Sequence, residues 1–297
     1  DIIRPVKIVL GTVQFGMDYG VSNKLGQVKE KQVHDILEFA YKSGITVMDT
    51  AALYGESEKV LGRVAPDCDE WNIITKTQSF KEEVIGKSQL DKLKISFSES
   101  LSNLRKIQLH GLLVHSCDDL FKPGGFRIFH YLEQLRSSGL VKKIGVSVYN
   151  SDQIDKLLDN FDIDIIQLPV NLLDQRLIQS KHLKKLKEYG VEIHARTVFL
   201  QGLLLMPLHS LPPYFLPIQE ILKKIEDKAQ ELSISRLELA LGFIQSVDEI
   251  DKIVVGVNTL EQLHEIINAT KIHINKDEFF NLSINDQNYL NPSLWKI

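Results

Sequence analysis

The sequence predicts a closed α/β barrel of eight strand–helix units, the (β/α)8 or TIM barrel. Eight short apolar runs, rich in Val, Ile and Leu, alternate with longer amphipathic segments along the chain. Continuous apolar runs of this length are typical of strands that are buried on both faces of a parallel sheet. Eight such units in roughly 270 residues favour a closed barrel over a doubly wound open sheet, whose usual size and strand number are smaller.

The predicted strands and helices alternate along the chain. The strands are VKIVLG (6–11), ITVMD (45–49), NIITK (72–76), GLLVH (111–115), KKIGVS (142–147), DIIQL (164–168), VEIHAR (191–196) and KIVVG (252–256). Helical spacing of apolar residues predicts helices at 33–44, 88–105, 126–139, 151–161, 180–190, 237–245 and 259–267. Residues 206–217 hold four of the nine prolines, so this segment is predicted to be a long loop. No linker divides the pattern, and we expect a single domain over residues 1–297.

Composition and charge argue against several kinds of partner. Of the 297 residues, 43% are hydrophobic and 25% are charged, the balance of a globular protein. The net charge of −4, without a long block of one sign, argues against nucleic acids and anionic membranes. No run approaches the roughly 20 apolar residues of a membrane helix, and a signal-peptide core is missing. Cys68 and Cys117 suit neither a disulfide framework nor a metal site, so we expect a reduced, cytoplasmic setting.

Polar residues close most of the predicted strands. From the second strand onward, the residues at the strand ends are Asp49, Lys76, His115, Ser147, Gln167, Arg196 and Gly256. The sites of (β/α)8 barrels lie at the carboxyl ends of the strands, so we expect these residues to share one rim. Tyr54 follows closely after Asp49 and is expected at the same rim.

Four of these residues suit the reduction of a carbonyl group. A lysine ammonium close to a tyrosine stabilises the phenolate, so Tyr54 beside Lys76 is suited to donate a proton to a developing alkoxide. Asp49 is expected to hold Lys76 charged and in place, and His115 to orient the carbonyl oxygen by a hydrogen bond. The set contains no evident nucleophile, and the hydride must come from elsewhere.

The order of these motifs resembles the aldo-keto reductase superfamily over nearly the whole chain. The matching segments are LGTVQFG (10–16), DTAALYGESEKVLG (49–62), ITK (74–76), LLVHSCDDL (112–120), KKIGVSVYN (142–150), IIQLPVNLL (165–173), QGLL (201–204) and VVGVNTLEQL (254–263). The pattern DTA-x-x-YG-x-S-E-x-x-LG in the second segment is specific by itself. The resemblance implies a barrel that binds NADPH, with NADH not excluded, and acts on a small carbonyl compound. Such a barrel needs no glycine-rich Rossmann fingerprint.

The resemblance also implies roles for individual residues. Asp49, Tyr54, Lys76 and His115 match the catalytic tetrad, with Tyr54 as general acid in reduction and general base in oxidation. Ser147 and Gln167 match residues that hydrogen-bond the nicotinamide carboxamide. The other implied cofactor contacts are Thr12 and Val13 in the first loop, then Asp49, Gly202, Gly256, Asn258, Thr259 and Gln262. A helix that begins after strand eight would direct its N-terminus to a phosphate.

Three departures from the family pattern concern the cofactor. Val148 stands where many members have Asn, and Asn150 is a candidate to supply the lost carboxamide contact. Arg196 stands where an aromatic residue is common, and we expect its flat guanidinium to stack on the nicotinamide instead. Residues 253–270 contain no Arg or Lys, although many NADPH-dependent members place cations there. The sequence therefore leaves the choice between NADP and NAD open.

Two other functions fit parts of the sequence. Some barrels of this family bind the cofactor as regulatory or interaction subunits without turnover, although an intact tetrad argues against that here. A metal-dependent barrel hydrolase is the second alternative. Alternation along a strand sends His110 and His115 to opposite faces, so no metal site is predicted.

Aldehydes, ketones and keto-sugars all fit as substrates, and the sequence carries no signal for the oligomeric state.

Overall fold

Eight parallel strands form a closed barrel in the computed structural model, which describes residues 7–65 and 70–297. The strands are β1 (Ile8–Gly11), β2 (Val47–Asp49), β3 (Asn72–Lys76), β4 (Leu109–Val114), β5 (Val141–Ser147), β6 (Ile165–Pro169), β7 (Glu192–Arg196) and β8 (Lys252–Gly256). Neighbouring strands pair in chain order, and β1 also pairs with β8, which closes the barrel. The predicted (β/α)8 fold is confirmed. Cys68 lies outside the described residues.

Amphipathic helices cover the outside of the barrel. They are α1 (Val13–Gly16), α2 (Glu30–Lys42), α3 (Ser57–Val64), α4 (Lys87–Leu104), α5 (Phe126–Ser137), α6 (Ser151–Asn160), α7 (Arg176–Gln179), α8 (His182–Glu188), α9 (Gln219–Glu231), α10 (Arg236–Gln245), α11 (Leu260–Ala269) and α12 (Gln287–Leu290). Shorter 3₁₀ turns lie at Cys117–Phe121, Leu203–Leu205, Leu208–Ser210, Pro213–Ile218, Lys276–Leu282 and Pro292–Leu294. Within residues 7–65 and 70–297, no helix has the length and apolar character needed to cross a membrane.

Three segments differ from the sequence-based prediction. Helix α9 is not among the predicted helices, because its buried face consists of Leu222, Ile225 and Ala229 alone and most of its other residues are polar or charged. The predicted helix at 180–190 is shorter, since Lys181 adopts a left-handed backbone with φ of 63° between α7 and α8. The predicted loop at 206–217 contains 3₁₀ turns, which accommodate its prolines better than a long α-helix would.

A layer of apolar side chains fills the interior of the barrel. It consists of Val9, Val47, Ile74, Leu113 and Ile165, with Val254 packed against them. Alternate residues of a strand point to the same side. The residues two positions further on are therefore directed to the same interior, one layer closer to the carboxyl ends of the strands: Gly11, Asp49, Lys76, His115, Gln167 and Gly256. This register explains why polar residues from distant parts of the chain meet at one mouth of the barrel.

A buried carboxylate joins α3 and α4 to β3, just behind this mouth. Glu58 on α3 is 5% exposed. It accepts hydrogen bonds from the Thr75 hydroxyl on β3, at 3.1 Å, and from the Ser100 hydroxyl on α4, also at 3.1 Å. Burial raises the pKa of the Glu58 carboxyl, and the two hydroxyl donors offset part of that rise. Glu58 thus fixes β3, the strand that ends in Lys76, from its outer side.

Glu58→Gln should change how stability depends on pH. Because the folded protein raises the Glu58 pKa, folding favours the protonated acid, and this contribution is lost as pH rises through the raised pKa. The glutamine does not titrate, so the variant should gain stability relative to the wild type between about pH 5 and about pH 8. The free energy of unfolding, measured by urea denaturation at both pH values, tests this expectation. Asp91→Asn, at an exposed position of α4, is the control. Parallel wild-type and Glu58→Gln profiles would contradict the expectation.

Candidate active site

A buried ion pair lies at the mouth of the barrel. The Lys76 ammonium is 2.6 Å from Asp49 Oδ1, and the two side chains are 1% and 3% exposed. Lys76 Nζ also donates to the Thr50 carbonyl oxygen at 3.0 Å. The second carboxylate oxygen, Asp49 Oδ2, accepts from the Gln167 amide at 2.8 Å. Both charged groups are therefore paired and hydrogen-bonded, which is what allows them to be buried.

The ion pair keeps Lys76 protonated. Burial alone lowers the pKa of the ammonium, but the charge of Asp49, together with Tyr54 and the hydrogen bonds to both, outweighs burial. The pKa of Lys76 is consequently raised above its usual value. A cation is present at this position at neutral pH.

Tyr54 lies beside this cation in the turn between β2 and α3. Its hydroxyl is 3.4 Å from Lys76 Nζ, and the ammonium lies 4.9 Å from the centre of the phenol ring. The imidazole of His115 meets the ring edge to face, with centroids 5.9 Å apart and planes at 90°. The ammonium is therefore placed to stabilise a phenolate.

His115, which directly follows β4, is neutral at physiological pH. Burial, and then the positive charges of Lys76 and Arg196, lower the pKa of its imidazole to about 4. Its Nδ1 atom is buried without a hydrogen-bond partner among the described residues. A neutral imidazole carries one N–H group, so His115 can donate one hydrogen bond to a ligand oxygen.

Two glycines set the position of Tyr54. A Cβ atom on Gly16 would lie 2.0 Å from the Tyr54 carbonyl oxygen, and one on Gly55 would lie 2.4 Å from the Gly16 carbonyl oxygen. Gly55 also has a positive φ of 55°, a conformation that glycine adopts readily. The Glu56 amide donates to the Gly16 carbonyl at 3.1 Å. The Tyr54 turn and α1 therefore fit backbone to backbone, which we call the Gly16–Gly55 contact.

A cavity of about 500 Å³ opens beside these groups. Its lining includes most of the predicted site residues: Thr12, Val13, Asp49, Tyr54, Lys76, His115, Ser147, Gln167, Arg196, Gly202, Gly256, Asn258 and Gln262. Thr259 is not among them, and its hydroxyl caps α11 by accepting from the backbone amide of Gln262 at 3.2 Å. The cavity extends from the barrel mouth to α10 and α11 in the outer layer, where Leu237 and Glu265 line it.

The side chains at the ends of β5, β6 and β7 lie next to one another. Ser147 and Gln167 are paired in register and are 4% and 1% exposed. The Arg196 guanidinium lies over the Tyr149 ring, 4.5 Å from its centre. Asn150 was considered as a ligand of the carboxamide, but it does not line the cavity. Its side-chain oxygen caps α6 by accepting from the backbone amide of Gln153 at 3.0 Å.

The sequence as a whole matches one protein family. Residues 7–284 match the family model described as Aldo/keto reductase family. This chain belongs to the aldo/keto reductase family. Members of the family are oxidoreductases that use nicotinamide cofactors and act on small carbonyl substrates.

Characterised relatives of this aldo/keto reductase are distant. D-arabinose 1-dehydrogenase of Saccharomyces cerevisiae is 22% identical over 250 residues, which are 78% of this chain and 74% of the relative. NADH-specific methylglyoxal reductase of Escherichia coli is 23% identical over 276 residues, which are 82% of this chain and 83% of the relative. The holo form of aldo-keto reductase AKR11C1 from Bacillus halodurans superposes with a TM-score of 0.74 at 18% identity, covering 98% of this chain and 94% of the other.

Several residues that line the cavity of this aldo/keto reductase are not predicted from the sequence. They are Gln14, Tyr19, Asn23, Tyr149, Glu265, Asn291 and Ser293, among others. Tyr149 lies just beyond the end of β5 and Gln14 just beyond that of β1, so a wider search at strand ends would include both. Asn291 and Ser293 lie far along the chain from every strand and carry no comparable signal. In residues 7–65 and 70–297, no group of three or more His, Cys, Asp or Glu side chains is arranged to hold a metal ion.

Proposed function

We propose that this aldo/keto reductase interconverts a small carbonyl compound and its alcohol with a bound nicotinamide dinucleotide, and that Tyr54 transfers the proton. The observation that carries the proposal is the position of the Lys76 ammonium, which contacts both the Asp49 carboxylate and the Tyr54 hydroxyl beside a cavity that His115 also lines. These residues supply a proton donor and a donor that orients an oxygen. The nicotinamide cofactor supplies the hydride when bound.

The roles of the four residues follow from their contacts. In reduction, Tyr54 donates its proton to the carbonyl oxygen as the carbonyl carbon accepts hydride, so that one proton and one hydride convert C=O to CH–OH. Lys76, which Asp49 holds protonated, stabilises the phenolate that remains. Neutral His115 donates a hydrogen bond that orients the carbonyl oxygen towards Tyr54. In oxidation, the Tyr54 phenolate takes the proton from the alcohol.

The cavity residues fit a nicotinamide dinucleotide. Ser147 and Gln167 offer buried polar groups to a carboxamide. Gln14 Oε1, Arg196 Nε and Asn258 Oδ1 are buried and, among the described residues, have no hydrogen-bond partner. Buried polar atoms are normally paired, so a polar ligand in this cavity accounts for their arrangement. The extension of the cavity to α10 and α11 provides length for the second nucleotide.

Glu265 bears on the choice between the two cofactors. Among the described residues, the cations that line the cavity are Lys76 and Arg196, both at strand ends, whereas α11 contributes the carboxylate of Glu265. A ribose phosphate at that end would meet a negative charge without a compensating cation. This favours NADH over the NADPH that the family resemblance predicts, and the name of the NADH-specific Escherichia coli relative supports it.

The cofactor preference should respond to a charge change at Glu265. We expect the wild type to bind NADH at least as tightly as NADPH, and Glu265→Lys to shift the ratio of the two dissociation constants towards NADPH by about tenfold. Fluorescence titration of both cofactors measures the ratio. Glu261→Lys, at an exposed position of α11 outside the cavity lining, is the matched control. A wild type that binds NADPH much more tightly would contradict the expectation and restore the NADPH prediction.

The substrate we propose is a small hydroxylated or dicarbonyl compound. Hydroxyl side chains line the cavity, among them Tyr19 and Ser293, and they suit hydrogen bonds to sugar-like hydroxyl groups. Loss of nicotinamide absorbance with methylglyoxal, glyceraldehyde and a ketose tests reduction, and D-arabinose with oxidised cofactor tests the reverse. Cofactor binding without turnover on any compound of a broad panel would contradict the proposal and favour a regulatory subunit.

A further inference from the structure

Arg196 lies next to the residues proposed to hold the nicotinamide. It ends β7 and pairs in register with Pro169, two residues after Gln167. Its guanidinium reaches across to β5, where Nη2 donates to the Val148 carbonyl oxygen at 2.8 Å. Val148 directly follows Ser147. Arg196 is thus held within contact range of a ring whose carboxamide binds Ser147 and Gln167.

The charge of Arg196 is uncompensated. Among the described residues, no carboxylate forms an ion pair with it, and its Nε atom is buried without a hydrogen-bond partner. Its other contacts are the Thr197 hydroxyl, 3.1 Å from Nη1, and the Tyr149 ring. The Asp49 carboxylate at the mouth is already paired with Lys76. The mouth of the barrel therefore carries one net positive charge on the guanidinium.

We propose that Arg196 makes this protein bind the reduced nicotinamide cofactor in preference to the oxidised one. The nicotinamide ring carries a positive charge when it is oxidised and none when it is reduced. A neighbouring fixed cation therefore weakens binding of the oxidised form alone, and partial burial strengthens the repulsion. This inference rests on the proposed function, because it requires a nicotinamide ring at Ser147 and Gln167.

The expected consequence is a bias towards carbonyl reduction during turnover. Reduction leaves the oxidised cofactor in the site, and repulsion from Arg196 assists its release. An aromatic residue at this position would stabilise a cationic ring instead. One face of the guanidinium already lies on Tyr149, so the charge acts on the nicotinamide whether or not the second face stacks against it.

The test compares dissociation constants of the oxidised and reduced cofactor, measured by calorimetry or fluorescence on the full chain. In the wild type we expect the reduced form to bind more tightly. In Arg196→Gln the ratio of oxidised to reduced constants should fall by about tenfold, the effect of removing a like charge a few ångströms away. In Arg196→Lys, which keeps the charge but not the flat group, the ratio should stay close to that of the wild type.

Other outcomes separate the inference from the function on which it rests. If the Arg196→Gln ratio equals that of the wild type, or if Arg196→Lys loses the preference as Arg196→Gln does, the charge is not responsible and the inference is wrong. If the wild type binds neither the oxidised nor the reduced cofactor, both the proposed function and the inference are wrong. Circular dichroism spectra of both variants ensure that only folded proteins are compared.

Discussion

Replacing Tyr54 with phenylalanine should lower kcat by about a hundredfold to ten-thousandfold, the usual contribution of a general acid. The change removes one oxygen atom, the atom that lies 3.4 Å from Lys76 Nζ. The ion pair of Lys76 with Asp49 does not depend on that oxygen, so the fold and the affinity for cofactor should persist. Steady-state kinetics on a substrate from the carbonyl panel, with a parallel cofactor titration, measure both effects.

The matched control for this prediction is Tyr19→Phe. Tyr19 lines the same cavity but has no hydrogen bond to Lys76. Its loss should change KM more than kcat, since a group that binds substrate and transition state alike alters KM. A Tyr54→Phe enzyme with unchanged kcat would remove Tyr54 from the reaction, and the proposed mechanism with it.

Replacing Lys76 with methionine should destabilise the protein by about 3–5 kcal/mol, the cost of leaving one partner of a buried ion pair without the other. The Asp49 carboxylate would remain 3% exposed, with the Gln167 amide as its remaining side-chain partner. Turnover should also be lost, because the phenolate of Tyr54 would no longer be stabilised. Urea denaturation and the carbonyl assay report the two effects separately.

The double variant Lys76→Met with Asp49→Asn distinguishes stability from catalysis. Both members of the pair are then neutral, so part of the lost stability should return, while turnover should stay absent. If the single Lys76→Met variant were as stable as the wild type, the ion pair would not be the buried, fully paired group that the distances indicate. If the double variant regained activity, Lys76 would have no part in the reaction.

The part of the site that lies on strands is predictable, because side chains along a strand point alternately into and out of the barrel. Asp49, Lys76 and Gln167 each stand two residues beyond a buried apolar residue of the same strand, so a correct strand assignment is enough to bring them together. Tyr54 lies in a turn rather than on a strand, and its prediction depends on the motif around it. The order of residue types was therefore sufficient for the barrel and for the convergence of these groups.

The part of the site that lies outside the strands is harder to predict, because a polar side chain there can hydrogen-bond either to a ligand or to the backbone of a nearby helix. The family resemblance implies a cofactor contact for Thr259 and makes Asn150 a candidate for a carboxamide contact. Both side chains cap helices, a local interaction that small polar residues make readily. Helix α9 was missed because few of its residues are apolar. Asn291 reaches the cavity only through the packing of the C-terminal segment, where Trp295 lies against Phe215. Contacts so far apart in sequence leave no periodic signal.

The Gly16–Gly55 contact has a consequence for protein engineering. A side chain at either position would push Tyr54 away from the first loop, so libraries that aim at new substrates should leave both glycines unchanged. Diversity can instead be introduced at Tyr19 and Ser293, which line the cavity and take no part in the Gly16–Gly55 contact. Variation at those sites should redirect selectivity while the chemical step is retained.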